Sequence, residues 1–515
     1  MNRLPRLNPS LYRGAVGVLL ALFLCTLCAI GTGCESGNQS KLYKAERKLW
    51  KIAKQQASLA SLPPDVQASI QNHLIIEYQE LIESLTPADS ATIPPPDDLV
   101  QYRLYRIRAT AQLECARWHV MAGENQKALA IIENACRSYT WNPGVTAEAF
   151  RNRILLLERM GDPDLYADAV EEMSRVLDLT RLGENIPLPL IQCQRRSARF
   201  FYAHGDVDRA GIQRQGAKDE LDRLLKAGIA GSPRVLILSE LALIALDTND
   251  AESARQRYQE ALEVSRGTPW EPSLEFALAN LNLGFPDRLE MAVTGFERLA
   301  LRHPDSPLAA RGLLMAGATL RTQKEYDRAD LLLDRSDSLA ARDPELHASI
   351  IFERAVLAEA RGDWDRALTF YRQVTADAPR SRSALNVPLQ IASRYLSLHD
   401  REAAESVLQR AIRNYEEMME GDNPQLALMA MEMRSKAWIM LEEWGAAVEA
   451  LQDLAKRAPE SDFAPLALAE AARLTKEKLG QLEKSHEIWQ KLIDLYPGTP
   501  LAALAARELE IKQEP

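Results

Sequence analysis

Residues 347–382 read HASIIFERAVLAEARGDWDRALTFYRQVTADAPRSR, with two helical patterns either side of Gly362-Asp363-Trp364. Before the turn, Ile351, Ala355 and Ala358 recur at spacings of four and three, which puts them on one helical face. After it, Ala367, Tyr371 and Val374 do the same, and Pro379 ends the run. The unit is helix, tight turn, helix, break.

Working outward, the second helix supplies a marker: a small residue, a bulky residue four later, and an apolar or small residue three after that. The marker recurs as Ala128/Ile132/Ala135, Ala169/Met173/Val176, Ala210/Arg214/Ala217, Ala254/Tyr258/Ala261 and Ala292/Phe296/Leu299. It continues as Ala329/Leu333/Ser336, Ala367/Tyr371/Val374, Ala404/Leu408/Ala411, Ala447/Leu451/Leu454 and Ser485/Trp489/Leu492. These ten copies lie 37–44 residues apart. Paired helices at such a period predict an all-α fold, an α-solenoid in which each hairpin buries its apolar face on its neighbours. Twelve residues before the marker, Ala116, Ala198, Ala242, Gly317, Ala355 and Ala392 leave room for close helix crossings. Pro304-Asp305-Ser306, Pro379-Arg380-Ser381, Pro459-Glu460-Ser461 and Pro497-Gly498-Thr499 share the form Pro-x-Ser/Thr. The Pro stops one helix and the hydroxyl residue is placed to cap the next.

The pattern resembles the tetratricopeptide repeat (TPR), carried best by Ala355, Gly362, Trp364, Ala367, Tyr371 and Pro379, over roughly Leu99 to Lys512. The family's period is about 34, so this chain's turns or helices are longer. The Pro-x-Ser/Thr-x-x-Ala junctions, such as Pro304 to Ala309, and the ending HEIWQKLIDLYPGTPLAALAARELE are similar to repeats of envelope TPR proteins. Those proteins serve β-barrel assembly or bind the Tol system, and they are shorter. The resemblance implies a right-handed superhelix of about ten hairpins whose first helices line an inner groove for protein or peptide partners. Counted in the family's frame, Arg117, Arg151, Arg195, Arg199 and Tyr202 face that groove. They form either a basic section that takes an anion or carboxylate, or a set paired with Glu158 and other nearby acids. The middle units place Leu236, Leu243, Leu274, Leu281, Leu314, Phe352 and Val356 at the same positions.

 The stretch Leu236, Leu243, Leu274, Leu281, Leu314, Phe352 and Val356 is thus either an apolar groove for an extended or helical peptide or packing between units. The family's Lys/Asn carboxylate clamp is not recognisable.

Residues 1–33 are a different material. Arg3, Arg6 and Arg13 precede the apolar run AVGVLLALFLCTLCAIGTG, the pattern of an export signal. It ends in Gly31-Thr32-Gly33-Cys34, which resembles the lipobox of bacterial lipoproteins and would make Cys34 the lipidated N-terminus. An uncleaved single-span anchor and ordinary signal cleavage are the competing readings. Each places the rest of the chain outside the cytoplasm, in the cell envelope. Residues 34–98 are expected to hold a polar tether (35–42), helices over 43–60 and 66–85, and a Pro-rich linker (86–98) before the repeat array at 99–512.

Removing residues 1–33 takes three of the 62 basic residues and none of the 72 acidic ones, which moves the net charge from −10 to −13. That excludes a general affinity for nucleic acid. Cys115, Cys136 and Cys193 remain after Cys34. Cys115 and Cys136 fall on the two helices of one hairpin, where they either form a disulfide or serve as small buried hydrophobes. No phosphate loop, H-E-x-x-H, paired C-x-x-C or G-x-S-x-G occurs after Cys34, and the seven His are scattered. No catalytic residue, metal, cofactor or small-molecule substrate is therefore expected. The function expected is a membrane-anchored scaffold for protein partners. The alternatives are a helical support component of murein processing and a purely structural envelope spacer.

Overall fold

The computed structural model describes residues 37–58, 64–87, 93–203, 206–340, 343–421, 423–459, 461, 463–496 and 499–510. The export segment and Cys34 lie outside them. All regular elements among the described residues are helical. None of these helices is long and apolar enough to cross a membrane.

Helices α1 (Gly37–Ser58) and α2 (Pro64–Ser84) come first. Ten hairpins follow: α3 (Leu99–Met121) with α4 (Asn125–Ser138), α5 (Pro143–Met160) with α6 (Pro163–Val176), α7 (Leu188–Ala203) with α8 (Val207–Lys226), α9 (Gly231–Asp247) with α10 (Ala251–Val264), and α11 (Glu271–Leu283) with α12 (Leu289–Arg302). The remaining five are α13 (Pro307–Thr322) with α14 (Tyr326–Leu339), α15 (Pro344–Ala360) with α16 (Trp364–Asp377), α17 (Arg382–Ser397) with α18 (Arg401–Met419), α19 (Pro424–Met440) with α20 (Trp444–Arg457), and α21 (Phe463–Glu477) with α22 (Leu482–Leu495). Helix α23 (Pro500–Glu510) ends the described chain. The helices fall into two compact units, one reaching Ser197 and including Lys226–Ile229, the other made of Ala198–Leu225 and the chain from Ala230.

In the first unit, Leu49 and Ile52 of α1, Leu74, Tyr78 and Leu81 of α2, and Leu104, Ala111, Cys115 and Trp118 of α3 form one core. The leading hairpin therefore shares its core with α3, while the described residues of the expected linker, 86–87 and 93–98, are non-helical. Helix α1 also starts at Gly37, inside the expected tether, because Leu42 joins the buried face of Ala45, Leu49 and Ile52. Cys115 and Cys136 are separate buried thiols, so the disulfide is absent and the small-hydrophobe reading stands. Burial pushes their pKa values up to about 11 and about 12, which keeps both protonated at neutral pH.

In the second unit the apolar clusters run from hairpin to hairpin. Val235, Leu238 and Ala242 of α9 meet Leu274 of α11, and Phe296 of α12 meets Leu313 of α13 and Leu333 of α14. Helices α17 to α23 share one cluster, into which α23 inserts Ala502 and Ala505. Where a marker position holds Ser, its hydroxyl is satisfied: Ser336 donates to the Ala310 carbonyl and Ser485 to the Ala472 carbonyl, each at 2.7 Å. Gly295 and Gly312 permit close crossings. A Cβ at Gly295 would lie 2.9 Å from the Ala279 Cβ, and one at Gly312 would lie 2.8 Å from the Phe296 ring.

One hairpin sits in a different register from the expected one. Val176 is exposed, whereas Tyr166, Val170 and Met173 are buried. Helix α6 begins at Pro163, three residues before Tyr166, as α16 begins three residues before Ala367. Its marker is therefore Tyr166/Val170/Met173. The small-first rule misses it because a buried Tyr fills the small slot.

Eight turns within hairpins share a further device. Gly123, Gly161, Asn249, Lys324, Gly362, His399, Glu442 and Gly480 all have positive φ, and each stands five residues before its marker. The next residue's N–H reaches back past the turn: Asp363 donates to Ala358 O at 2.9 Å, Glu325 to Leu320 O at 2.9 Å and Asp400 to Tyr395 O at 3.0 Å. This is a left-handed helix stop whose closing residue also begins the next helix. Asp363 then accepts the Arg366 N–H at 3.1 Å. Between hairpins the expected hydroxyl caps are present: Ser306, Ser381, Ser461 and Thr499 accept from Leu308, Ala384, Phe463 and Ala502. A second junction form, Asn/Asp-Pro, caps α5, α15 and α19 through Asn142, Asp343 and Asn423, and Asp162-Pro163 caps α6 in the same way inside its hairpin. Pro388 lies inside α17, where it removes a backbone donor, and the Tyr415 hydroxyl of α18 donates to the nearby Leu385 carbonyl at 2.5 Å.

Candidate binding surface

The expected groove residues lie on the first helices of the hairpins from α3 to α15. In the first unit, Arg117 lies 3.3 Å from Glu114 and stacks over Trp118 at 6.0 Å, and Arg151 lies 2.6 Å from Glu148. Arg195 is buried, so it does not line a surface. Glu158 pairs with Arg196 instead. The register set by Tyr166 changes the composition of this face: it carries Glu148, Arg151, Leu155 and Glu158. The basic section expected from sequence is thus interleaved with acids, and Arg117 and Arg151 each pair with a glutamate of their own helix. In the second unit, Arg199 is exposed and Tyr202 is 44% exposed.

The apolar positions divide. Leu236 and Leu274 are buried, while Leu243, Leu281, Leu314, Phe352 and Val356 are half-buried. Leu281 packs on the α9–α11 core, Leu314 on the α11–α15 core and Phe352 on the α15–α17 core. Phe352 also meets the Tyr371 ring at 5.7 Å between centroids. Each of these side chains therefore seals a hairpin boundary on one side and leaves part of itself accessible on the other.

The hairpin from which the sequence was read is held by an aromatic cluster. Trp364 lies 6.4 Å from both Tyr371 and Tyr395, edge-on, and Arg394 stands over Trp364 at 5.9 Å. The Tyr371 hydroxyl donates to Glu359 at 3.1 Å, and Gln390 of the next hairpin donates to the same oxygen at 3.4 Å. Burial first, then Glu359, pushes the Tyr371 phenol well above its ordinary pKa. Ala355, Ala367 and Tyr371 are fully buried, and Gly362 supplies the positive φ of the turn. These residues are packing and turn elements. Beside them, Glu353 pairs with Arg321 at 2.5 Å across a hairpin boundary, and desolvation raises its pKa against the pull of Arg321.

The fold is an all-α array of helical hairpins in which half-buried apolar side chains and charged pairs alternate along the first helices. Residues 351–381 match the family described as tetratricopeptide repeat. Among solved structures, yeast Tom70 is 14% identical, covering 91% of this chain and 97% of its own, with a TM-score of 0.42. The C-terminal part of a TPR repeat-containing protein from Cytophaga hutchinsonii is 13% identical, covering 53% of this chain and 98% of its own, with a TM-score of 0.37. A tetratricopeptide repeat protein from Parabacteroides merdae is 14% identical, covering 55% and 99%, with a TM-score of 0.29. No curated protein matches the sequence.

Proposed function

We propose that this protein is a membrane-anchored scaffold in the bacterial cell envelope that binds protein or peptide partners through the first helices of its hairpins. The observation that carries the reading is the division of labour inside each hairpin. The second-helix marker residues are buried almost throughout, whereas the first helices keep Tyr202 exposed and Leu243, Leu281 and Phe352 half-buried. A face of partly accessible apolar side chains between charged pairs suits an extended or helical peptide. The export pattern and Gly33-Cys34 support anchoring through a lipid on Cys34, which by the two-chain rule gives stable attachment.

Two experiments test the two halves of the proposal. Metabolic labelling with an acyl-chain probe marks the wild type and not Cys34→Ala; equal labelling of both, or of neither, removes the lipid anchor. Cross-linking in intact cells followed by mass spectrometry captures a discrete set of envelope proteins. Murein degradation by the purified protein would instead overturn the scaffold reading.

A further inference from the structure

Glu271 and Glu275 stand one turn apart at the start of α11, and each is only 2% exposed. His303 follows the last residue of α12, at the end of the hairpin opposite its turn. Arg302 holds the outer side of both carboxylates: its guanidinium nitrogens lie 2.6 Å from Glu271 Oε1 and 2.7 Å from Glu275 Oε1. Arg298, which is half-exposed, lies 3.8 Å from Glu275 Oε1. The Gly267 N–H donates to Glu271 Oε2 at 2.8 Å. The inner side is different. His303 Nε2 lies 3.8 Å from Glu271 Oε2 and 3.9 Å from Glu275 Oε2. Both Glu275 Oε2 and His303 Nε2 are buried atoms with no hydrogen-bond partner. A buried carboxylate oxygen aimed at an unpartnered imidazole nitrogen is costly unless something lies between them.

We propose that Glu271, Glu275 and His303 bind a divalent transition-metal ion of the zinc class. All three ligand atoms lie within 4.8 Å of one another. Zinc bonds to carboxylate oxygen and imidazole nitrogen are about 2.0–2.2 Å. Two such bonds span up to about 4.2 Å, so an ion between His303 Nε2 and either carboxylate fits the separations of 3.8 and 3.9 Å. Two oxygens and one nitrogen suit zinc and its neighbours better than calcium or magnesium, which take oxygen alone. Arg302 and Gly267 act as outer partners that fix the carboxylates in place. His303 is 22% exposed in its side chain, which leaves water access to a further ligand position. The ion would clip the start of α11 to the end of α12 and close the open end of that hairpin.

The test uses the full-length protein in detergent, stripped of metal with a chelator and titrated with zinc chloride by calorimetry, with cobalt(II) absorption as a second readout. The wild type is expected to bind one zinc ion per chain, to give the visible cobalt bands of a low-coordinate site, and to melt at a higher temperature with zinc. His303→Ala, at a partly exposed position, and the near-isosteric Glu275→Gln should each weaken binding by at least about tenfold, and His303→Ala should lose the thermal shift. His347→Ala, at a histidine paired with Asp337, should bind as the wild type does. Failure of the wild type to bind zinc stoichiometrically, or unchanged binding by His303→Ala, would overturn the proposal and leave the cluster a structural ion network.

Discussion

Lys324 shows most clearly what a single residue contributes here. Its φ is +65°, in the region that favours glycine, and it holds the turn position that Gly362 fills in the next hairpin. An L side chain there costs about 1–2 kcal/mol, offset in part by the greater unfolded-state entropy of glycine. Lys324→Gly is therefore expected to stabilise the α13–α14 hairpin by up to about 1 kcal/mol, and Gly362→Ala to destabilise its own by a similar amount. Hydrogen exchange of the flanking helices measures both locally. Asp250 gives a pH dependence. Hydrogen bonds from Ser253, first its hydroxyl and then its backbone N–H, hold the Asp250 carboxyl below its ordinary pKa. A depressed folded-state pKa stabilises above the unfolded pKa and is lost as pH falls through the folded one. Protection of α10 should thus decline as pH drops below about 4, while Asp250→Asn, which keeps the cap acceptor, should lack that decline. Gly362-Asp363 was legible as a turn because Gly and Asp are turn residues. Lys324 and Glu442 were not, because no property of their side chains favours positive φ; the recurring hairpin geometry imposes it.

At the scale of the element, small residues decide how closely helices cross. A Cβ at Gly295 meets the Ala279 Cβ, which has no rotamer to yield, so Gly295→Ala should destabilise by about 1–3 kcal/mol. Gly216 in α8 has open space around its would-be Cβ, and Gly216→Ala should stabilise by roughly 0.5–1 kcal/mol through helix propensity. Thermal unfolding of the two variants should shift in opposite directions. Tyr415→Phe removes the hydroxyl bonded to Leu385 O beside Pro388 and should cost about 1 kcal/mol, read as faster exchange in α17. The helical period and the hydroxyl caps were legible because both depend on near neighbours in sequence. The register of α6 was not, because a buried Tyr166 in a small slot is settled by what packs against it. Nor was the Glu271–Glu275–His303 cluster, because His303 joins the glutamates only through the packing of α11 against α12.

At the scale of the whole molecule, neighbouring hairpins inside each compact unit share core residues. Removing residues 499–515 should expose Ile488, Trp489 and Leu492 of α22 and raise exchange there, beyond the deleted piece. The hairpin count followed from repetition alone. The faces available for binding did not, because accessibility along a first helix depends on the neighbouring hairpins; that is why Leu236 and Leu274 are buried while Leu243 and Leu281 remain half-buried. The central claim is that these first-helix faces hold a protein partner in the envelope. Site-specific photo-cross-linking in intact cells tests it most directly, with probes placed at the exposed Tyr202 and Arg311 on first helices and at the exposed Arg366 on a second helix. The account predicts discrete protein adducts from Tyr202 or Arg311 and none from Arg366. Adducts from all three positions alike, or from none, would contradict it.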